Sequence, residues 1–141
     1  MAHLRSQIIS VVKEALENES IKAFDSIYKA IDNDEMPCAY VSINKIDNEL
    51  VGISDLAVQR DYLVSVTIFH GDSEGVDEVI DDLLVRSEKA IINHPKLNDK
   101  THQLSIDIES TDKGENILKV VNSLYTVTVF TSIDGSDQEL N

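Results

Sequence analysis

Apolar side chains recur at helical spacing from the start of the chain. Leu4, Ile8, Val11, Val12 and Ala15 fall along one stripe, and Ser6, Lys13, Glu14 and Glu17 fall opposite it. This pattern predicts an amphipathic helix. The polar run ENES at 17–20 ends it. The next segment, IKAFDSIYKAI, has mixed periodicity and reads as a strand or an irregular edge. PCAYVSI at 37–43 alternates, with Ala39, Val41 and Ile43 on one side and Pro37 confined to the strand's start or an edge. Residues 44–56, NKIDNELVGISDL, read as a long loop or an extended hairpin tip. The clearest strand is QRDYLVSVTIF. Tyr62, Val64, Val66 and Ile68 form one face and Leu63, Ser65, Thr67 and Phe69 the other. Apolar members on both faces predict a central strand, packed on one side and partly covered on the other.

A second helix is predicted from about Gly75 to Ile92, with Asp72 or Ser73 as its cap. His94 and Pro95 stop it, because the residue before proline disfavours helix. LSIDIES then alternates through Leu104, Ile106 and Ile108, TDKGEN turns, and ILKVVNSLYTVTVFT makes a long last strand. Strands grouped between helices predict an α+β fold: a mainly antiparallel sheet of four to five strands with two principal helices packed on one face. Residues 1–133 are expected to form one domain and 134–141 a flexible acidic tail.

Charge enters as a constraint on partners. The 141 residues carry a formal net charge of −14, which disfavours nucleic acid and anionic membrane as adhesive surfaces. Neither a signal peptide nor a membrane span is predicted. The single cysteine, Cys38, lies in an apolar run and reads as a small buried side chain in a reducing compartment.

The most chemical-looking stretch is GDSEGVDEVIDD, with six carboxylates between Asp72 and Asp82. An EF-hand loop needs oxygen ligands at its first, third and fifth positions and glycine at the sixth, and neither possible register supplies them. On a helix, Asp72 and Glu74 lie near the positive end of the macrodipole. Asp77, Glu78, Asp81 and Asp82 lie away from Val76, Ile80, Leu83 and Ala90. Asp82 is placed to pair with Arg86. Asp77 and Asp81 could share a divalent ion, but a solvated helix face accounts for the stretch, and no metal site is expected. Val85 and Ile92 point into that charged face, as ordinary surface residues or as a subunit contact. The scattered His3, His70, His94 and His102 make no ligand pair, and no nucleophile or phosphate-loop motif occurs. Neither catalysis nor a cofactor is expected.

The order of these segments resembles the tail terminator proteins of long-tailed phages, the family typified by the terminator of phage lambda. The resemblance runs over nearly the whole chain. LRSQIISVVKEAL is followed by FDSIYKAI, an acidic turn and the proline-led DNDEMPCAYVSI; then come QRDYLVSVTIF, the acidic helix GVDEVIDDLLVRSEKAI and the closing LYTVTVF. It implies a structural protein that assembles as a homohexameric ring, caps the tail tube and offers the surface that joins tail to head. The implied partners are further copies, the tail tube protein and a head-completion protein, in the host cytoplasm during assembly and then in the virion. No sequence-specific nucleic acid and no membrane is implied, and the family has no catalytic residues to carry over. Within that frame Val85 and Ile92 are candidate subunit contacts. Ile46, Leu50, Val51 and Ile53 mark the loop as either a tube-contact arm or an ordinary hairpin covering the core. A head-to-tail connector or neck protein shares the same layout. Outside phages, an acidic cytoplasmic module that holds a basic partner fits the charge.

Overall fold

The structure, a computed structural model, describes residues 3–25, 37–51, 57–72, 76–113, 116–132 and 140. Helix α1 spans Leu4–Asn18. The His3 side chain caps it, Nδ1 accepting the Arg5 N–H at 3.0 Å. Its end is turned by Ser20, whose φ of 60° is a left-handed conformation that side chains other than glycine seldom adopt. Ile21 N–H then bonds back to the Leu16 carbonyl at 3.0 Å.

Strands β1 (Lys22–Phe24), β2 (Cys38–Val51) and β3 (Ala57–Asp72) precede helix α2 (Val76–Asn93), and β4 (Thr101–Lys113) and β5 (Asn116–Ser132) follow it. They form one five-stranded sheet in the order β1-β2-β3-β5-β4. Among the described strands only the β1–β2 pairing is parallel. The fold is therefore α+β, and β3 is its central strand, as its two apolar faces predict.

One face of the sheet meets both helices. Ala39, Val41 and Ile43 of β2, alternate β3 residues from Tyr62 to Ile68, and Val121, Tyr125 and Val127 of β5 are buried in one cluster with Leu4, Ile8, Val12 and Leu16 of α1 and Ile80, Leu83 and Ile91 of α2. The opposite face is mixed. Cys38 and Phe69 are buried there beside Phe24, Tyr40 and Val120, whereas Ser65 donates to Asn122 Oδ1 at 2.7 Å and Thr128 to Asp61 Oδ1 at 2.7 Å. Polar groups that find partners this way let a sheet face stand partly in water.

Two register shifts interrupt the pairing. One lies between Ile43 and Lys45, the other between Gln103 and Ser105. Each extra residue changes the parity of the strand. Ile46 thereby returns to the helix face opposite Tyr62, and Ile106 and Ile108 share that face with Ser123 and Val121.

Several sequence expectations change. Residues 44–51 are not a loop: they continue β2, paired to β3 as far as Val51 with Ala57, so the reading as an extended hairpin is the right one. Their charges and the bulge hid the strand. Leu140, expected in a flexible tail, is 4% exposed, joins the core cluster and donates its N–H to Gln7 Oε1 at 3.0 Å. An apolar side chain near a chain end docks when a groove of the core is within reach. The expected cap at Asp72 or Ser73 and residues 134–139 lie outside the described residues and side chains.

Candidate functional site

Helix α2 carries the acidic stretch as a solvated face. Glu78, Asp81 and Asp82 are exposed, while Ile80, Leu83, Ser87 and Ile91 form the buried stripe. Arg86 Nη1 pairs with Asp82 Oδ2 at 3.0 Å, and its other terminal nitrogen donates to the Glu19 carbonyl, tying α2 to the end of α1. The Asp77 side chain lies outside the description. Among the described residues no group of three His, Cys, Asp or Glu side chains is placed to hold a metal ion, and no helix is long and apolar enough to cross a membrane.

Beneath α2 a small polar cluster crosses to the sheet. Gln103 Nε2 donates to Glu88 Oε1 at 3.2 Å and to the Tyr125 hydroxyl at 3.4 Å. Burial, with the Glu88 carboxylate adding to it, pushes the Tyr125 phenol up to about 12. A tyrosine raised this far stays neutral across the physiological range.

The predicted contact residues separate. Val85 is 51% exposed and free of the core. Ile92 is half-buried and packs against the core cluster, so it does not stand in the charged face as expected. Helical spacing gives a side chain's direction, whereas its cover depends on neighbouring elements, and these reach the last turn of α2. In the β2 arm, Leu50 is 56% exposed and Val51 half-buried. Ile46 packs partly against the core, and Ile53 lies outside the described residues. Val85 and the arm belong to different elements, α2 and β2.

Sequence reasoning missed a larger surface on β4. Leu104, Ile106 and Ile108 are 49%, 38% and 56% exposed. Their alternation signals a core face, and Ile106 and Ile108 do lie on the helix side of the sheet. A helix is about 10 Å across and strands sit about 4.8 Å apart, so two helices cover roughly four strands. The fifth, β4, is left over. Phe130 on the opposite face is 61% exposed and borders a groove of about 550 Å³ between the turn at Asn98–Lys100 and the end of β5. The ionisable groups lining that groove are Asp99, Lys100 and His102. The Lys100 ammonium, hydrogen-bonded at 2.9 Å, holds the Asp99 carboxyl below its usual range.

Among the described residues, both edges of the sheet are open over part of their length. The described residues of β1 pair with Cys38, Ala39 and Tyr40 of β2. Farther along, Arg5 Nε donates to the Ile43 carbonyl at 3.1 Å, so that carbonyl points out of the edge. The outward set continues across the bulge at Ile46, Asn48 and Leu50, which share β3 partners of one parity. At the other edge, Thr128 N–H bonds the Lys100 carbonyl at 2.9 Å, so even-numbered β5 residues address β4. Their partners Ser105, Asp107 and Glu109 turn inward, and Ile106 and Ile108 turn their backbone groups out.

No protein-family model matches this chain, and no curated protein matches it.

Proposed function

We propose that this chain is a structural phage protein of the tail-terminator kind, a ring-forming protein that caps a tail tube and presents the surface to which a head is joined. The observation that supports this most is the pair of strand edges left open among the described residues of one sheet, each with exposed apolar side chains on the helix face: Leu50 on β2, and Ile106 and Ile108 on β4. A lone copy leaves unpaired strand and apolar surface in water, a liability that a closed ring of copies removes. The β2 arm, with Leu50 at 56% exposure, is the tube-contact candidate, and Val85 on α2 is a second contact between copies. The partners are further copies, the tube protein and a head-completion protein. The protein acts in the host cytoplasm during assembly and afterwards in the virion.

The test is absolute mass by light scattering at low and moderate salt, with and without magnesium, then negative-stain imaging and co-sedimentation with purified tail tubes. Six-fold rings that bind tube ends are expected. Rings that ignore tubes but join heads would move the reading to a neck or connector protein. Failure to bind either structure would refute it.

A further inference from the structure

We infer that copies join edge to edge, with β4 of one copy adding antiparallel to the β2 arm of the next, Ile106 opposite Ile46 and Asp107 opposite Lys45. This rests on the ring reading and specifies its contact. Running through the order β1-β2-β3-β5-β4, β2 and β4 point in opposite directions. A neighbour that continues the sheet therefore meets β4 with an antiparallel β2. The outward backbone groups of Ile46, Asn48 and Leu50 face those of Ile106 and Ile108, and the helix faces of the two copies stay on one side.

Charge selects the register. With Ile106 opposite Asn48, Asp107 faces Asp47 and cancels what Glu109 gains opposite Lys45; with Ile106 opposite Leu50, Asp107 faces Glu49 and Glu109 faces Asp47. Like charges directly opposite one another destabilise a ladder. With Ile106 opposite Ile46, Asp107 faces Lys45 and Ser105 faces Asp47. The Lys45 and Asp47 side chains are 64% and 56% exposed and pair with each other at 3.7 Å. Lys45 and Asp107 both lie on the face away from the helices, and Ile46 and Ile106 both lie on the helix face. A two-fold pairing of β4 with itself about Ile106 also avoids like charges, but it gains no ion pair and leaves the arms of both copies open. The head-to-tail contact is heterologous, the type that closes into rings.

The experiment is a cysteine pair, Asp47→Cys with Ser105→Cys, in the full chain. These positions fall opposite each other without hydrogen bonds between them, where Cα atoms sit about 4.5 Å apart and a disulfide forms readily. Cys38 is 0% exposed and stays silent. Mild oxidation of the double variant is expected to give a ladder of covalent multimers on a non-reducing gel, and each single variant none. Alongside it, Asp107→Lys is expected to abolish the oligomer seen by light scattering, and Asp107→Lys with Lys45→Asp to restore it. Oligomers that form without the ladder would overturn the edge contact and leave the ring standing. Dimers from Ile106→Cys alone would overturn it in favour of the two-fold pairing. Chains that stay monomeric and uncrosslinked under all salt and magnesium conditions would overturn it too, with tube binding then judging the ring by itself.

Discussion

The exposed row on β4 can be separated from the core by one matched pair of substitutions. Ile108→Thr and Ile68→Thr make the same chemical change, and threonine keeps the β-branching that strands favour. Ile68 is 0% exposed on the central strand, so its variant leaves a cavity and buries a hydroxyl, a cost of about 2–4 kcal/mol. Ile108 is 56% exposed and can solvate the hydroxyl. Fully burying an isoleucine is worth about 1.5–3 kcal/mol, and Ile108 has only part of that to lose, so its variant is expected to cost under about 1 kcal/mol. Urea unfolding, followed by circular dichroism in dilute low-salt buffer to keep copies apart, gives both numbers at a shared m-value. Equal losses in the two variants would refute the reasoning, because they would mean that the β4 row is buried within a single copy.

Three further outcomes follow from the same geometry. The Tyr125 phenol, raised to about 12 from an ordinary 10.0, adds stability that is complete below pH 10 and is lost as pH rises through that window. The loss is on the order of 2–3 kcal/mol; phenolate absorbance read beside unfolding should show it, and Tyr125→Phe should remove its share of the slope. Leu140→Ala should cost about 2–3 kcal/mol in urea unfolding, because Leu140 is 4% exposed in the core cluster; no change would mean that the chain end is not docked. Leu50→Asp, at a 56% exposed site, should shift stability by less than about 0.5 kcal/mol yet lose co-sedimentation with tail tubes. It is a cleaner probe than excising residues 47–54, which would strip β3 of its β2 partners from Ala57 to Asp61.

What the sequence made legible was whatever one element decides alone. The stripe from Leu4 to Ala15, the two-sided apolar pattern of β3 and the stop at His94 and Pro95 depend on local spacing, and the structure keeps all three. What it hid depends on partners. Asn44 breaks the alternation of β2, and the charges of Lys45, Asp47 and Glu49 then look like a loop until β3 is seen opposite them. Ile106 and Ile108 alternate as core residues do, and only the width of the helix layer leaves them in water. The same limit applies to Ile92 and Leu140, which are covered by elements distant in the chain. Of the candidate contacts, Val85 was readable as a surface apolar residue from its helical position opposite the core stripe, whereas Leu50 stayed open between a contact arm and a hairpin covering the core. The β4 edge was not readable, because strand order is not written in strand pattern.

Ionic strength separates the ring from the acidic binding module by sign. Each copy carries −14, so six would carry six times that, −84. This repulsion acts over the whole surface, with a reach of about 30 Å at 0.01 M salt and about 10 Å at 0.1 M. The edge contact works at hydrogen-bond range, through strand pairing, the Ile46–Ile106 contact and one ion pair. Salt therefore removes much of the repulsion and little of the attraction, and assembly should strengthen as salt rises from low to moderate. A module that holds a basic partner behaves in the opposite way, since its attraction is the long-range term and salt screens it. Mass by light scattering across that range, run beside binding of a polylysine probe, reads both signs. Oligomers that dissolve as salt rises would refute the repulsion argument. A persistent monomer whose polylysine binding falls with salt would transfer the acidic surface from ring assembly to partner capture.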